Sequence, residues 1–282
     1  MPEGYSGPII DAHLHYVTGD GYFDRIAKEA GHENNEDHLK REYERHGIVH
    51  GIVMGNRSLE LSFHRYPEYL SYCIGLDSTY LRTALEDGSN GNKMLKQAAD
   101  LAEQHLKREN CVGIKLYPGY HPVAVTNACY EPFYDLAAAY KKPVAVHTGE
   151  TAGPKAILKY SHPLTIDEAA ALHPKVQFVM CHFGNPWLND AAAVMSKNQN
   201  VAADLSGLLE GSVDVDGLYR DKAGYLGMLK SWLEYFDYRD VMFGTDWPLA
   251  NLGDYIEFTW KLVPEKHWEQ IFYQNAARIY GV

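Results

Sequence analysis

Histidine and carboxylate spacing carries the first chemical signal in this chain. Asp11, His13 and His15 alternate in the run Ile9-Ile-Asp-Ala-His-Leu-His15, so in an extended strand all three share one face. Two more histidines, His147 and His182, end the apolar runs Val144-Ala-Val-His147 and Phe178-Val-Met-Cys-His182. A carboxylate, Asp246, ends Val241-Met-Phe-Gly-Thr-Asp246. Several imidazoles and a carboxylate brought together form the donor set of a divalent ion such as zinc. The bland alternative is that each histidine caps its strand on a backbone carbonyl. Burying four unpaired imidazoles costs desolvation, and a shared metal removes that cost.

These residues need elements to position them. Short runs rich in Val and Ile alternate with longer, mixed-polarity stretches. Strands are predicted at Pro8–His13, Val49–Met54, Tyr69–Leu76, Val112–Tyr117, Pro143–His147, Val176–His182, Asn200–Leu205 and Val241–Thr245. Helices are predicted between them at Asp24–Arg45, Lys93–Lys107, Tyr130–Tyr140, Thr165–His173, Asp190–Ser196 and Gly224–Tyr235, with closing helices over Leu252–Ile279. Strands separated by helices pair in parallel, because a parallel connection needs a long crossover. At about 30 residues per strand-helix unit, eight units use most of the 282 residues. The expectation is α/β: a single (β/α)8 TIM barrel with C-terminal closing helices, one domain over residues 1–282. In such a barrel the C-terminal strand ends meet at one mouth, where active sites are built.

Composition narrows the class further. With 46% apolar and 22% charged residues the chain reads as globular. Lys plus Arg total 26 against 37 for Asp plus Glu, a net charge of −11, so neither nucleic acid nor an anionic membrane is an expected partner. No apolar run reaches the roughly 18 residues of a membrane span. The N-terminal run has no secretory character. Four dispersed cysteines, Cys73, Cys111, Cys129 and Cys181, suit reduced thiols in the cytoplasm. The run Glu86–Asn92 is Gly-rich but lacks a phosphate-loop ending. The charged stretch Glu29–Arg45, with His32, His38 and His46 in or beside it, reads as a solvated helix face or loop.

The text Ile10-Asp-Ala-His-Leu-His15, Gly113-Ile-Lys-Leu-Tyr-Pro118, Pro143-Val-Ala-Val-His-Thr148, Cys181-His-Phe-Gly184, Ala203-Asp-Leu-Ser-Gly207 and Phe243-Gly-Thr-Asp-Trp-Pro248 resembles the amidohydrolase superfamily. More narrowly, it resembles the branch containing aminocarboxymuconate semialdehyde decarboxylase and related metal-dependent hydrolases. The resemblance implies that His13, His15 and His147 bind metal. It makes Asp246 a ligand, a general base, or both. His182 becomes a second-metal ligand in a two-metal enzyme, and a polarising or proton-shuttling group in a one-metal enzyme. One Zn2+ is favoured over two, with Mn2+ as the alternative metal. Lys115 is then an uncarboxylated cation for an anionic substrate rather than a bridging carbamate. Lys115 and Tyr117 share a face of strand four, and the third option is a lysine whose head sits in water. Tyr117, Tyr120, Asn185 and Trp187 are expected to shape the substrate pocket. Asp11 is expected to orient a ligand imidazole, or else to bond backbone at the strand end.

The implied activity is hydrolysis of a C–N or C–O bond of a small polar, possibly carboxylated, molecule by metal-activated water. A nonoxidative decarboxylase on the same ligands is the alternative from another class. A metal-binding scaffold without catalysis is the third. A homodimer is the expected assembly.

Overall fold

The computed structural model describes residues 5–76, 81 and 88–282. Eight parallel strands lie in one sheet in chain order: β1 (Ile9–Leu14), β2 (Ile48–Met54), β3 (Leu70–Gly75), β4 (Cys111–Leu116), β5 (Val144–Val146), β6 (Phe178–Met180), β7 (Val201–Asp204) and β8 (Val241–Met242). With helices between them, the fold class is α/β, a (β/α)8 TIM barrel. Every predicted strand is present. Most are shorter than expected, because backbone pairing stops where the functional side chains begin. His147, His182 and Asp246 sit just past their strands, as strand-end residues of this fold should.

The chain divides into two compact units, residues 54–203 and the combined segments up to 53 and from 204. In the first, β3 through β7 pair consecutively. All six residues of β4 are buried, as expected for a parallel strand covered on both faces. Lys115 is paired with Gly75 on one side and Ala145 on the other, two small residues that leave room for its long stem. Gly75 admits no larger residue, since a Cβ there would collide with the Gly55 carbonyl.

Within this unit His105, on the helix Gly88–Leu106, ties two elements together. Its Nε2–H donates to the Leu59 carbonyl at 2.8 Å, and its Nδ1 accepts from Tyr72 Oη at 2.8 Å. Burial is the main cause holding its pKa down at about 4, against an ordinary 6.5. The unfolded chain therefore binds more protons between those values, and stability falls as pH drops from 6.5 toward 4. The full difference is worth at most about 3 kcal/mol. Thermal unfolding is expected to show a lower midpoint at pH 4.5 than at 6.5. His105→Gln, which keeps two polar contacts without a titrating ring, should flatten that slope. An unchanged slope would remove His105 as a contributor.

In the other unit, β1 pairs with β2. The single helix predicted over Asp24–Arg45 is two, α1 (Gly21–Glu29) and α2 (Glu36–His46). Gly31 takes a positive φ of 77° after α1, and Asn35 caps α2 by accepting from His38 N. The intervening His32 is buried rather than solvated. Its Nε2 accepts from Leu252 N at 3.1 Å and its Nδ1–H donates to His38 Nε2 at 3.0 Å. Its ring packs 4.3 Å from Trp247, so this histidine walls the back of the β8 end. A short helix at Val215–Asp221 was not predicted. Residues 88–92 of the expected Gly-rich loop belong to the helix Gly88–Leu106, and residues 86 and 87 lie outside the described residues. The C-terminal segment is helical as expected, from Leu252–Leu262 to Asn275–Tyr280.

Candidate metal centre and active site

At the end of β1, His13 and His15 turn their Nε2 atoms toward one carboxylate oxygen. Asp246 Oδ1 lies 3.3 Å from His13 Nε2 and 3.2 Å from His15 Nε2. Donors bound at about 2.0–2.1 Å around a tetrahedral ion stand about 3.3–3.4 Å apart. Both carboxylate–imidazole separations match that spacing, and all three atoms lie within 4.8 Å of one another. His13 is 1% exposed, Asp246 is buried, and His15 has the most open side chain of the three.

The backbone aims Asp246 with some strain. Its φ is +58°, in the left-handed region that an aspartate tolerates better than most residues. Asp246 N donates to the His13 carbonyl at 2.8 Å, and the Asp246 carbonyl accepts from Leu249 N at 2.9 Å. The two ligand-bearing segments are therefore pinned through their own main chains.

A carboxylate that the sequence did not single out sets the His13 ring. Asp204 Oδ2, at the end of β7, accepts from His13 Nδ1–H at 3.0 Å, which leaves the Nε2 lone pair for a metal. Asp204 Oδ1 accepts from Ser206 N and Ser206 Oγ, and both residues are fully buried. The signal was present in Ala203-Asp-Leu-Ser-Gly207, a strand-end Asp followed two residues later by Ser. Asp204→Asn is expected to weaken metal affinity about 10–100-fold, the usual cost of losing such a partner. Chelator competition on the purified protein checks this, and unchanged affinity would deny Asp204 the orienting role.

Asp11 corrects the expectation that it orients a ligand ring. Its oxygens accept from His13 N (3.2 Å), Thr245 N (2.9 Å), Thr245 Oγ1 (2.6 Å) and Tyr43 Oη (3.0 Å). It holds the main chain of both ligand segments and touches no imidazole. The reason is reach: a short side chain two residues before His13 meets backbone amides first. Burial pushes its pKa up to about 6, with those bonds pulling against it.

The second unit carries the other strand-end histidines. His147 Nδ1 and His182 Nε2 are 3.1 Å apart, and His147 Nε2 donates to the Glu150 carbonyl at 3.0 Å. His182 and Phe183 both have positive φ, 63° and 45°, so the turn after β6 is wound to face its ring to His147. Gly149, at φ +93°, lies against the Asn185 backbone where no Cβ would fit. Its neighbour Glu150 donates its N–H to the Asn185 carbonyl at 2.8 Å, joining the two loops.

Of the expected pocket residues, Tyr120 and Asn185 contact this pair, Asn185 N donating to the His182 carbonyl at 2.9 Å. The Tyr120 ring packs 5.0 Å from His147, and Tyr120 Oη accepts from Ala152 N. Tyr117 is half-buried and donates weakly to the Met54 carbonyl at 3.3 Å. Trp187 packs on His162 at 4.6 Å. Lys115 departs from the third of its expected options, the head in water. It is fully buried, its head is not in water, and its Nζ lies 2.7 Å from Cys181 Sγ.

A (β/α)8 fold with a His-x-His strand end facing a strand-eight aspartate defines a class of metal-site barrels. The sequence profile of the amidohydrolase family matches residues 89–282, and the chain belongs to that family. No curated protein matches the chain. Among solved structures, it is similar to an uncharacterized TIM-barrel protein from Bordetella bronchiseptica at 19% identity, covering 98% of this chain and 99% of that one, TM-score 0.67. A probable 2-pyrone-4,6-dicarboxylic acid hydrolase from Acinetobacter baumannii, with citric acid bound, is similar at 17% identity over 98% and 100% of the two chains, TM-score 0.62. A 5-carboxyvanillate decarboxylase from Novosphingobium aromaticivorans, complexed with manganese and a nitrobenzoic acid, is similar at 11% identity over 100% and 97%, TM-score 0.59. Among the described residues, no helix is long and apolar enough to cross a membrane.

Proposed function

We propose that the protein is a metal-dependent hydrolase that cleaves a C–N or C–O bond of a small polar, carboxylated molecule, such as an amide, ester or lactone. The observation that carries this reading is the approach of His13 Nε2 and His15 Nε2 to Asp246 Oδ1 at 3.3 and 3.2 Å. Those three residues would hold one divalent ion, zinc or manganese. When bound, such an ion acidifies water and polarises a carbonyl. Family membership supports the reading, and so does the likeness in fold to the pyrone dicarboxylic acid hydrolase.

The chain's own groups divide the remaining work. Asp246 takes the proton from the attacking water and returns it to the leaving atom. His13 is kept in the right tautomer by Asp204. His182 and His147 form a proton-carrying pair, and His182 holds the substrate oxygen that gains charge. The resemblance also implies His147 as a ligand, a role that would need its Nε2 to give up the Glu150 carbonyl while Nδ1 keeps His182. Tyr117, Tyr120, Asn185 and Trp187 bound the substrate. The four cysteines are all free thiols, which supports a cytoplasmic setting.

The likeness to the carboxyvanillate decarboxylase favours a second reading, in which Asp246 delivers a proton to a substrate carbon as carboxylate is lost. One experiment separates the two. The metal-loaded protein is incubated with a panel of dicarboxylic lactones and aromatic carboxylates, and both acid release and carbon dioxide are followed. Lactone opening without gas supports hydrolysis, and gas release overturns it in favour of decarboxylation. A protein that binds no metal after reconstitution with zinc and manganese would sink both readings.

A further inference from the structure

Lys115 and Cys181 make a pair that the proposed chemistry does not use. Lys115 is 0% exposed, and among the described residues no carboxylate pairs with it. A buried ammonium ordinarily has such a partner, because an unpaired one is costly to desolvate. Its contacts are the Cys181 sulfur at 2.7 Å and the Tyr117 ring at 5.1 Å. Nitrogen–oxygen hydrogen bonds centre near about 2.9–3.0 Å. Sulfur is a larger atom and a weak acceptor, so 2.7 Å is too close for an ordinary N–H···S bond. One oxygen atom bonded to both N and S would hold them at about this separation.

The surroundings fix both atoms in place. Lys115 lies on β4 between Gly75 and Ala145, and Cys181 follows β6 directly. Thr148 Oγ1 donates to the Cys181 carbonyl at 2.6 Å, anchoring that residue's backbone. Among the described residues, no lysine nitrogen bonds the sulfur of the other three thiols, and Lys142 Nζ, near Cys111, donates to that residue's backbone carbonyl instead. Cys111 Sγ meets the Gly113 carbonyl, and burial pushes Cys111 and Cys129 up to about 11 and Cys73 upward as well. Those three serve as internal controls in the same chain.

We propose that Lys115 Nζ and Cys181 Sγ are a redox-modifiable pair that forms a covalent N–O–S bridge between the β4 and β6 segments under peroxide. In the first step the Cys181 sulfur attacks a peroxide oxygen. The O–O bond breaks, a sulfenic acid forms and one water leaves. In the second, the amine and the sulfenic acid each lose a hydrogen to a second peroxide. The N–O bond forms and two waters leave. In total, one thiol, one amine and two hydrogen peroxide molecules give the bridge and three waters, sulfur and nitrogen being oxidised and peroxide reduced. The bridge removes the lysine cation and locks the residue that immediately precedes His182. One dithiol reduces the S–O bond as it closes to its disulfide, giving back the Cys181 thiol and leaving the oxygen on nitrogen as a hydroxylamine. A second reduces the N–O bond to restore the amine and release water.

The test is a mass measurement, which stands whatever the substrate proves to be. The wild-type protein is treated with hydrogen peroxide, denatured, alkylated and digested with trypsin, with and without prior dithiothreitol. The expected product is the Lys115 segment joined to the Cys181 segment, heavier by one oxygen and lighter by two hydrogens, uncut after Lys115 and absent after dithiothreitol. Cys73, Cys111 and Cys129 should remain alkylated. Lys115→Met and Cys181→Ala should each abolish the joined species. The proposal is overturned if Cys181 is fully alkylated after peroxide, if it is overoxidised while trypsin still cuts after Lys115, or if the join lacks the oxygen.

Discussion

Asp246→Asn is expected to lower turnover by about a thousandfold while leaving metal content near that of the wild type. Positioned acid–base groups contribute about 10²–10⁴-fold, and asparagine removes that function with almost no change in shape. Its carbonyl oxygen can stand where Asp246 Oδ1 stands, 3.2–3.3 Å from both histidine nitrogens. The main-chain bonds from Asp246 N to His13 and from Leu249 N to Asp246 involve no side chain, so the positive-φ turn survives. The measurement is kcat beside metal content by mass spectrometry on the same preparation. A loss confined to kcat supports proton handling, because a binding role would appear in KM as well. A variant that holds metal and turns over at the wild-type rate would remove Asp246 from the chemistry and support a scaffold.

Much of this site was legible in the sequence because strand-end residues are short-range signals. The period of two in Asp11, His13 and His15 predicted three side chains on one face, and His13 and His15 do meet at Asp246, although the pairing of β1 shifts register between Asp11 and Leu14. Asp246 was found by type and by position after an apolar run. What the sequence could not supply were partners chosen across long chain separations. Asp204 meets His13 from 191 residues away, and its local signal, the Ser two residues on, marks a held carboxylate without naming the histidine it orients. Asp11 was read on the face of the two histidines, but its preference for Thr245 and Tyr43 depends on elements 234 and 32 residues off. Lys115 was read as a substrate-facing cation, with a head in water as the third option, because alternation gives a direction and not a depth. The small residues Gly75 and Ala145 beside it, and the thiol it meets, decide that it is buried. The helix break at Gly31 failed for another reason: the charged pattern continued across it, while the backbone needed a positive φ there.

Removing the two β1 histidines should separate metal binding from fold stability, because the two rings are held differently. The His13→Ala/His15→Ala double variant is expected to retain almost no metal after dialysis and to show only background turnover. It should also lose the rise in unfolding temperature that added zinc or manganese gives the wild type, since a ligand that binds only the folded state stabilises it. The single variants should then diverge in the metal-free protein. His15 has the more open side chain, and its carboxylate neighbour is Asp246. His13 is 1% exposed and pairs through Nδ1 with the fully buried Asp204. Deleting its ring takes away that carboxylate's imidazole partner, and breaking a buried pair of this kind costs about 3–5 kcal/mol. The bonds from Ser206 to Asp204 set this at the lower end. Chelator-treated His13→Ala should therefore unfold well below chelator-treated wild type, and His15→Ala close to it. Equal midpoints for the two metal-free variants would mean that Asp204 does not depend on His13, and that the histidine serves the metal alone.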